Sequence, residues 1–85
     1  MIQVTSVEAL SSYRLRVTFT TGECRDFEMG PYLQYPVFHR LRNPAFFDLA
    51  RVDYGTVTWP GEIDIASETL YEQAFRSASQ SVLDE

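Results

Sequence analysis

The sequence predicts an α+β domain: a mainly antiparallel sheet of about five strands with a short split helix and a C-terminal helix. Three observations predict it. Tyr13, Leu15, Val17 and Phe19 alternate with Arg14, Arg16, Thr18 and Thr20, the period-two pattern of a half-buried antiparallel strand. Val37, Phe38 and Leu41 recur at helical spacing. Val57 to Ile65 holds the only tryptophan, a Pro-Gly turn and an Ile-Asp-Ile alternation, and leads into a final helix.

In chain order, Ile2 to Ala9 reads as the first strand. Its parity changes between Ile2/Val4 and Val7/Ala9, which predicts a bulge near Thr5-Ser6. Leu10-Ser11-Ser12 is a turn. The second strand ends at Thr20-Thr21-Gly22, where glycine suits the left-handed position of a three-residue hairpin loop. That register pairs Phe19 with Glu23, Leu15 with Phe27 and Tyr13 with Met29. It also sets Arg16 opposite Asp26 and Arg14 opposite Glu28. Each opposite-charge pair is worth roughly 0.2–1 kcal/mol.

Gly30-Pro31 ends the hairpin. Tyr32 to Leu41 reads as a helix split at Pro36, and Asn43-Pro44 stops it, because a residue before proline avoids the α region. Leu49 to Tyr54 is a fourth strand, Tyr54-Gly55 a tight turn, and Thr56 to Trp59 a fifth strand. Ser67 is placed to cap the last helix, with Leu70, Tyr71, Ala74 and Phe75 as its apolar stripe and Glu68 in its first turn. The expected core is Val4, Leu15, Val17, Phe19, Phe27, Phe38, Leu41, Phe47, Leu49, Val57, Trp59, Ile63, Leu70 and Ala74. Residues 1–76 form the domain, and the serine-rich residues 77–85 are expected to be a disordered tail.

Eighty-five residues allow one domain, and the 45% apolar share is that of a globular protein. The formal charge is −5. There is no lysine, and the seven basic residues are Arg14, Arg16, Arg25, Arg40, Arg42, Arg51 and Arg76. An acidic domain lacks the bulk attraction behind non-specific nucleic-acid binding, so contact with nucleic acid is expected to be weak or indirect. The single cysteine, Cys24, excludes a disulfide framework. No apolar run is long enough to cross a bilayer, and no signal-peptide pattern opens the chain. A cytoplasmic protein with no membrane association is the expectation.

The pattern as a whole resembles a family of small bacterial domains of unknown function. The resemblance rests on Val4-Thr5-Ser6-Val7-Glu8-Ala9, on the hairpin from Tyr13 to Glu23, on Phe27-Glu28-Met29, and on Phe38 with Leu41. It continues through Phe46-Phe47, Val57-Thr58-Trp59-Pro60, Ile63-Asp64-Ile65, Glu68 and Leu70-Tyr71. It implies a β-rich single domain. Some members are fused to a helix-turn-helix domain, and some are encoded beside a second small family in an arrangement like a toxin–antitoxin pair. The family brings no catalytic residues. The residues after Phe75 do not provide for a fused helix-turn-helix, so direct DNA reading is not expected here.

Few residues offer chemistry. His39, the sole histidine, has no Cys or second His to complete a ligand set. Cys24 has no resolving cysteine. Glu62 and Asp64 form a candidate carboxylate pair, but two side chains without an Asp-rich loop make a poor cation site; bracing the turn is the plainer role. Trp59 reads as a core anchor. Arg14 and Arg16 have Glu28 and Asp26 as partners, whereas Arg40 and Arg42 have none in sequence.

These features favour a non-enzymatic, antitoxin-like protein-interaction module with no cofactor and no metal. Its partner would be a small basic protein, and Arg40, Arg42, Glu62 and Asp64 are the candidate interaction residues. An accessory regulatory domain of a DNA-binding complex, contacting nucleic acid weakly through Arg40 and Arg42, is the first alternative. A small-ligand binder or enzyme around Glu62 and Asp64 is the second. Pairing of two copies through the Ile2–Ala9 edge is a further expectation.

Overall fold

The described residues of the computed structural model are 2–76. Strand β1 (Val4–Leu10) pairs antiparallel with β2 (Arg14–Phe19), and β2 with β3 (Cys24–Glu28). The register shifts between Val4 and Ser6, at the expected bulge. Arg14 faces Glu28, Leu15 faces Phe27 and Arg16 faces Asp26. Gly22, at φ +89°, closes the hairpin. Leu15, Val17, Phe19 and Phe27 are buried, so the alternation assigned the inner face correctly.

The fold class is α+β, but the strands form two sheets instead of one. The second comprises β4 (Arg51–Asp53), β5 (Thr56–Trp59) and β6 (Ile63–Ile65), all antiparallel. This makes six strands where about five were expected, and the two-residue β7 (Phe75–Arg76) adds to the open edge of β3. Ile63-Asp64-Ile65, not counted among the five expected strands, is a full partner of β5, with Trp59 opposite Ile63 and Val57 opposite Ile65. Alternation reveals which face a residue takes; it does not reveal which strands pair.

The sheets are joined at β1. The Val4 N–H donates to Gly55 O at 2.8 Å, and β1 runs beside β4 and β5. The start of the edge expected to pair two copies is therefore already taken within the chain.

The split helix is two 3-10 segments, Gly30–Gln34 and Pro36–Arg42. A period of three explains why Phe38 and Leu41 share a face while Val37, expected on that face, is 58% exposed. Asn43-Pro44 stops the second segment and also starts a short helix, α1 (Pro44–Phe47). Asn43 Oδ1 accepts from Ala45 N at 3.0 Å, with proline at the first helical position. The turn continues through Leu49 N to Phe46 O and Ala50 N to Phe47 O. The fourth strand consequently begins at Arg51, not Leu49. Leu49, expected in the core, is exposed.

The last helix, α2, is Ser67–Gln73. Ser67 lies inside it, not at its cap, and donates its hydroxyl to Ile2 O at 3.1 Å. Ala74 is extended and half-buried, and Phe75 belongs to β7, so the expected four-residue helical stripe stops at Tyr71. The expected tail, 77–85, lies outside the described residues.

One core unites both sheets, the 3-10 segments, α1 and α2. It contains the expected Val4, Leu15, Val17, Phe19, Phe27, Leu41, Phe47, Val57, Trp59, Ile63 and Leu70. Met29, Leu33 and Ile65 join them, whereas Phe38 is only partly buried. Trp59 sits at the centre, its ring 6.0 Å from Phe47 and its Nε1–H donating to Phe47 O at 2.9 Å.

Candidate functional site

The turn between β5 and β6, Pro60-Gly61-Glu62, organises the surface. Closing a hairpin with this loop requires left-handed backbone, and Gly61 and Glu62 have φ of +87° and +64°. Such a conformation costs a residue with a Cβ roughly 1–2 kcal/mol, which makes Glu62 an unusual choice at an exposed position.

On one side of the turn lies the outer face of the second sheet. Alternation through β4, β5 and β6 puts Arg51, Thr58 and Asp64 in one cross-strand row, with Asp53 beside it. Arg51 Nε donates to Asp53 Oδ2 at 2.7 Å, and the Thr58 hydroxyl to the same oxygen at 3.1 Å. The bond from Arg51, then that from Thr58, hold the Asp53 carboxyl below its ordinary range. Tyr54 and Gly55, at φ +53° and +74°, form the two-residue turn from β4 to β5. Tyr54 is 99% exposed. Arg51, Asp53, Tyr54, Thr58, Glu62 and Asp64 line a shallow groove together.

On the other side lies Arg40. Its guanidinium is 4.7 Å from the centroid of Phe46. A Cβ built on Gly61 would come within 2.5 Å of Arg40 Nη1. Arg40 is thus held between an aromatic ring and a glycine. Arg42 lies nearby, its Nε donating to Leu33 O at 3.3 Å and its own carbonyl accepting from the Tyr13 hydroxyl. His39, Arg40, Arg42, Asn43 and Phe46 line a second depression.

The structure therefore brings Glu62, Asp64 and Arg40 to one turn, and Arg42 joins them only through the depression it shares with Arg40. Glu62 and Asp64 face the acidic groove, and Arg40 and Arg42 face the basic depression. Sequence reasoning missed Asp53, Tyr54 and Phe46 as neighbours. The first was signalled by its alternation with Val52, whereas the contact of Arg40 with Gly61 is non-local and had no signal. His39 is turned toward Gln34 O at 3.1 Å. Cys24 is exposed on the outer face of the first sheet, opposite Thr18. Among the described residues, no three His, Cys, Asp or Glu side chains are grouped to hold a metal ion. No helix among them is long and apolar enough to cross a membrane.

The turn gives a direct prediction. Gly61→Ala is expected to lose about 1–2 kcal/mol from its backbone conformation, plus the cost of moving Arg40. Gly22→Ala, at φ +89° with nothing within 4 Å of the added carbon, carries the backbone cost alone. Urea denaturation should find Gly61→Ala the less stable of the two; equal losses would mean that Arg40 is not held against the turn.

The family model described as "Protein of unknown function (DUF2442)" matches residues 4–76. A crystal structure of a candidate DNA-binding protein from Nitrosomonas europaea is similar, with 30% sequence identity and a TM-score of 0.77. The similarity covers 87% of this chain and 49% of that one, so the chain spans about half the length of that protein. No curated protein matches.

Proposed function

This chain belongs to the DUF2442 family, and we propose that it is a non-catalytic interaction module docking a basic protein partner on the outer face of its second sheet. The observation that carries this reading is Tyr54, 99% exposed and flanked by Asp53, Glu62 and Asp64 along one groove. A protruding aromatic supplies contact area at small entropic cost, and it suits the centre of an interface. The surrounding carboxylates and the net charge of −5 would steer a cationic partner toward it. Strained backbone at Tyr54 and Glu62 is the kind of feature that persists at functional surfaces.

A second reading has its own support. The similar protein from Nitrosomonas europaea is named as a candidate DNA-binding protein, and this domain matches half of it. Both readings meet in an accessory domain that binds a protein component of a DNA-binding assembly. An antitoxin-like pairing with a small basic protein in a bacterial cytoplasm is its most specific form.

The test is affinity capture by the full chain from nuclease-treated lysate of its native host, with mass spectrometry of what is retained. A basic protein should be retained at low salt and lost with the Tyr54→Ser or the Glu62→Gln/Asp64→Asn variant. Retention unaffected by either variant, or no retained protein, would refute the reading.

A further inference from the structure

The depression on the far side of Gly61 differs from the rest of this acidic surface. Arg16, Arg25 and Arg51 each form an ion pair with a carboxylate, at 3.0, 2.8 and 2.7 Å, and Arg14, though not ion-paired among the described residues, stands opposite Glu28 across the β2–β3 ladder. Among the described residues, Arg40 and Arg42 form no ion pair, and no acidic side chain lines the depression they share with His39, Asn43 and Phe46. In a chain of net charge −5, two arginines that line one depression without carboxylates form a local positive site.

The two are also held in place. Phe46 and Gly61 flank the Arg40 guanidinium, and Leu33 O takes the Arg42 Nε–H, which leaves the terminal nitrogens of Arg42 for another acceptor. Anchored guanidinium groups lose less side-chain entropy on binding than free ones, and their fork matches the oxygens of a phosphate.

The geometry points to a phosphate site formed by Arg40 and Arg42 that takes the backbone of DNA, so that this domain contributes one or two positioning contacts to the assembly. The inference rests on the DNA-assembly reading above, which favours a nucleic-acid phosphodiester over a free anion. Backbone contacts of this kind position a complex without reading bases. The acidic remainder of the surface limits the footprint.

The footprint sets the expected size of the effect. One or two phosphates predict a slope of log K against log salt of only about −1 to −2. Titration of the labelled full chain with a short DNA duplex at low salt should shift amide signals within residues 39–46. Arg40→Gln should lower the slope magnitude by about 1, and Arg40→Gln/Arg42→Gln should abolish binding. Arg14→Gln, on the outer face of the first sheet, should bind as the parent does. If loss of the Leu33 bond unfolds the Arg42 variant, Arg40→Gln alone decides the question, because Arg40 makes no hydrogen bond of that kind.

No binding by the full chain, signal shifts confined to other residues, or a slope unchanged in Arg40→Gln would each overturn the inference. Failure here with the protein partner still captured would leave the proposed docking face standing. Loss of the partner with DNA binding intact would refute the docking face and leave the phosphate site.

Discussion

Trp59→Ala is expected to lose about 3–5 kcal/mol, as buried Trp truncations do. A domain of 85 residues has a total stability of only about 4–13 kcal/mol at the usual value per residue, so this loss takes about a quarter of that stability at the least and all of it at the lower end. The reasons are local. Trp59 is 1% exposed, lies in the central strand of the second sheet, and packs against Phe47 of α1. Removing it opens a cavity where the second sheet meets α1.

Trp59→Phe removes the hydrogen bond while keeping most of the packing. It retains a ring but removes the donor to Phe47 O, which still accepts from Ala50 N at 3.2 Å. A loss of about 1 kcal/mol is expected from the hydrogen bond, with a further packing cost for the smaller ring. Circular dichroism through a urea titration measures both variants. A Trp59→Ala protein within about 1 kcal/mol of the parent would mean that Trp59 is not the core anchor.

The hairpin from Tyr13 to Met29 was legible in the sequence because two independent signals agreed on one register. Its apolar residues matched across one face, and Arg16 and Asp26 matched across the other. Val37 and Leu49 were misplaced because each depended on the kind of local structure. A 3-10 segment rotates Val37 off the face that an α-helix would give it, and the turn after α1 consumes Leu49 before the strand starts. Ala74 and Phe75 were misplaced for a tertiary reason: the open edge of β3 draws the chain into a strand after Gln73. At the candidate site, alternation placed Glu62 and Asp64 beyond the core. The proximity of Arg40 to Gly61 joins positions 21 residues apart in the chain and leaves no periodic trace.

Arg25 is the second position where a large effect is expected. It lies opposite Val17 on the inner side of β3, its side chain 14% exposed. One terminal nitrogen donates to the Tyr71 carbonyl at 2.7 Å and the other to Glu23 at 2.8 Å, and the guanidinium carbon is 3.9 Å from the centre of the Tyr71 ring. The Tyr71 hydroxyl donates to the other Glu23 oxygen at 2.6 Å. This cluster fastens α2 to the first hairpin, with a cation at the carbonyl end of the helix where the dipole favours it. Arg25→Met should cost about 2–3 kcal/mol through its charged hydrogen bonds. Arg25→Lys should recover only part of that loss, because one ammonium cannot span both acceptors in the same geometry.

The same cluster predicts an acid dependence. The Tyr71 hydroxyl, then the Arg25 guanidinium, lower the Glu23 carboxyl from 4.5 to about 2. A carboxylate with a depressed folded-state pKa stabilises the fold above its unfolded value and loses that contribution as pH falls toward the folded value. The contribution of Glu23 should therefore be complete above about pH 5 and disappear between there and pH 2. Tyr71→Phe removes the largest cause of the depression, so its stability should depend less on pH across that window than the parent's. Urea midpoints at pH 7, 4 and 2.5 test this: parallel curves for parent and Tyr71→Phe would show that Glu23 is not held by the tyrosine. Because Trp59 lies in the second sheet, its fluorescence should follow the same transition only if both sheets unfold as one cooperative unit, as a shared core requires.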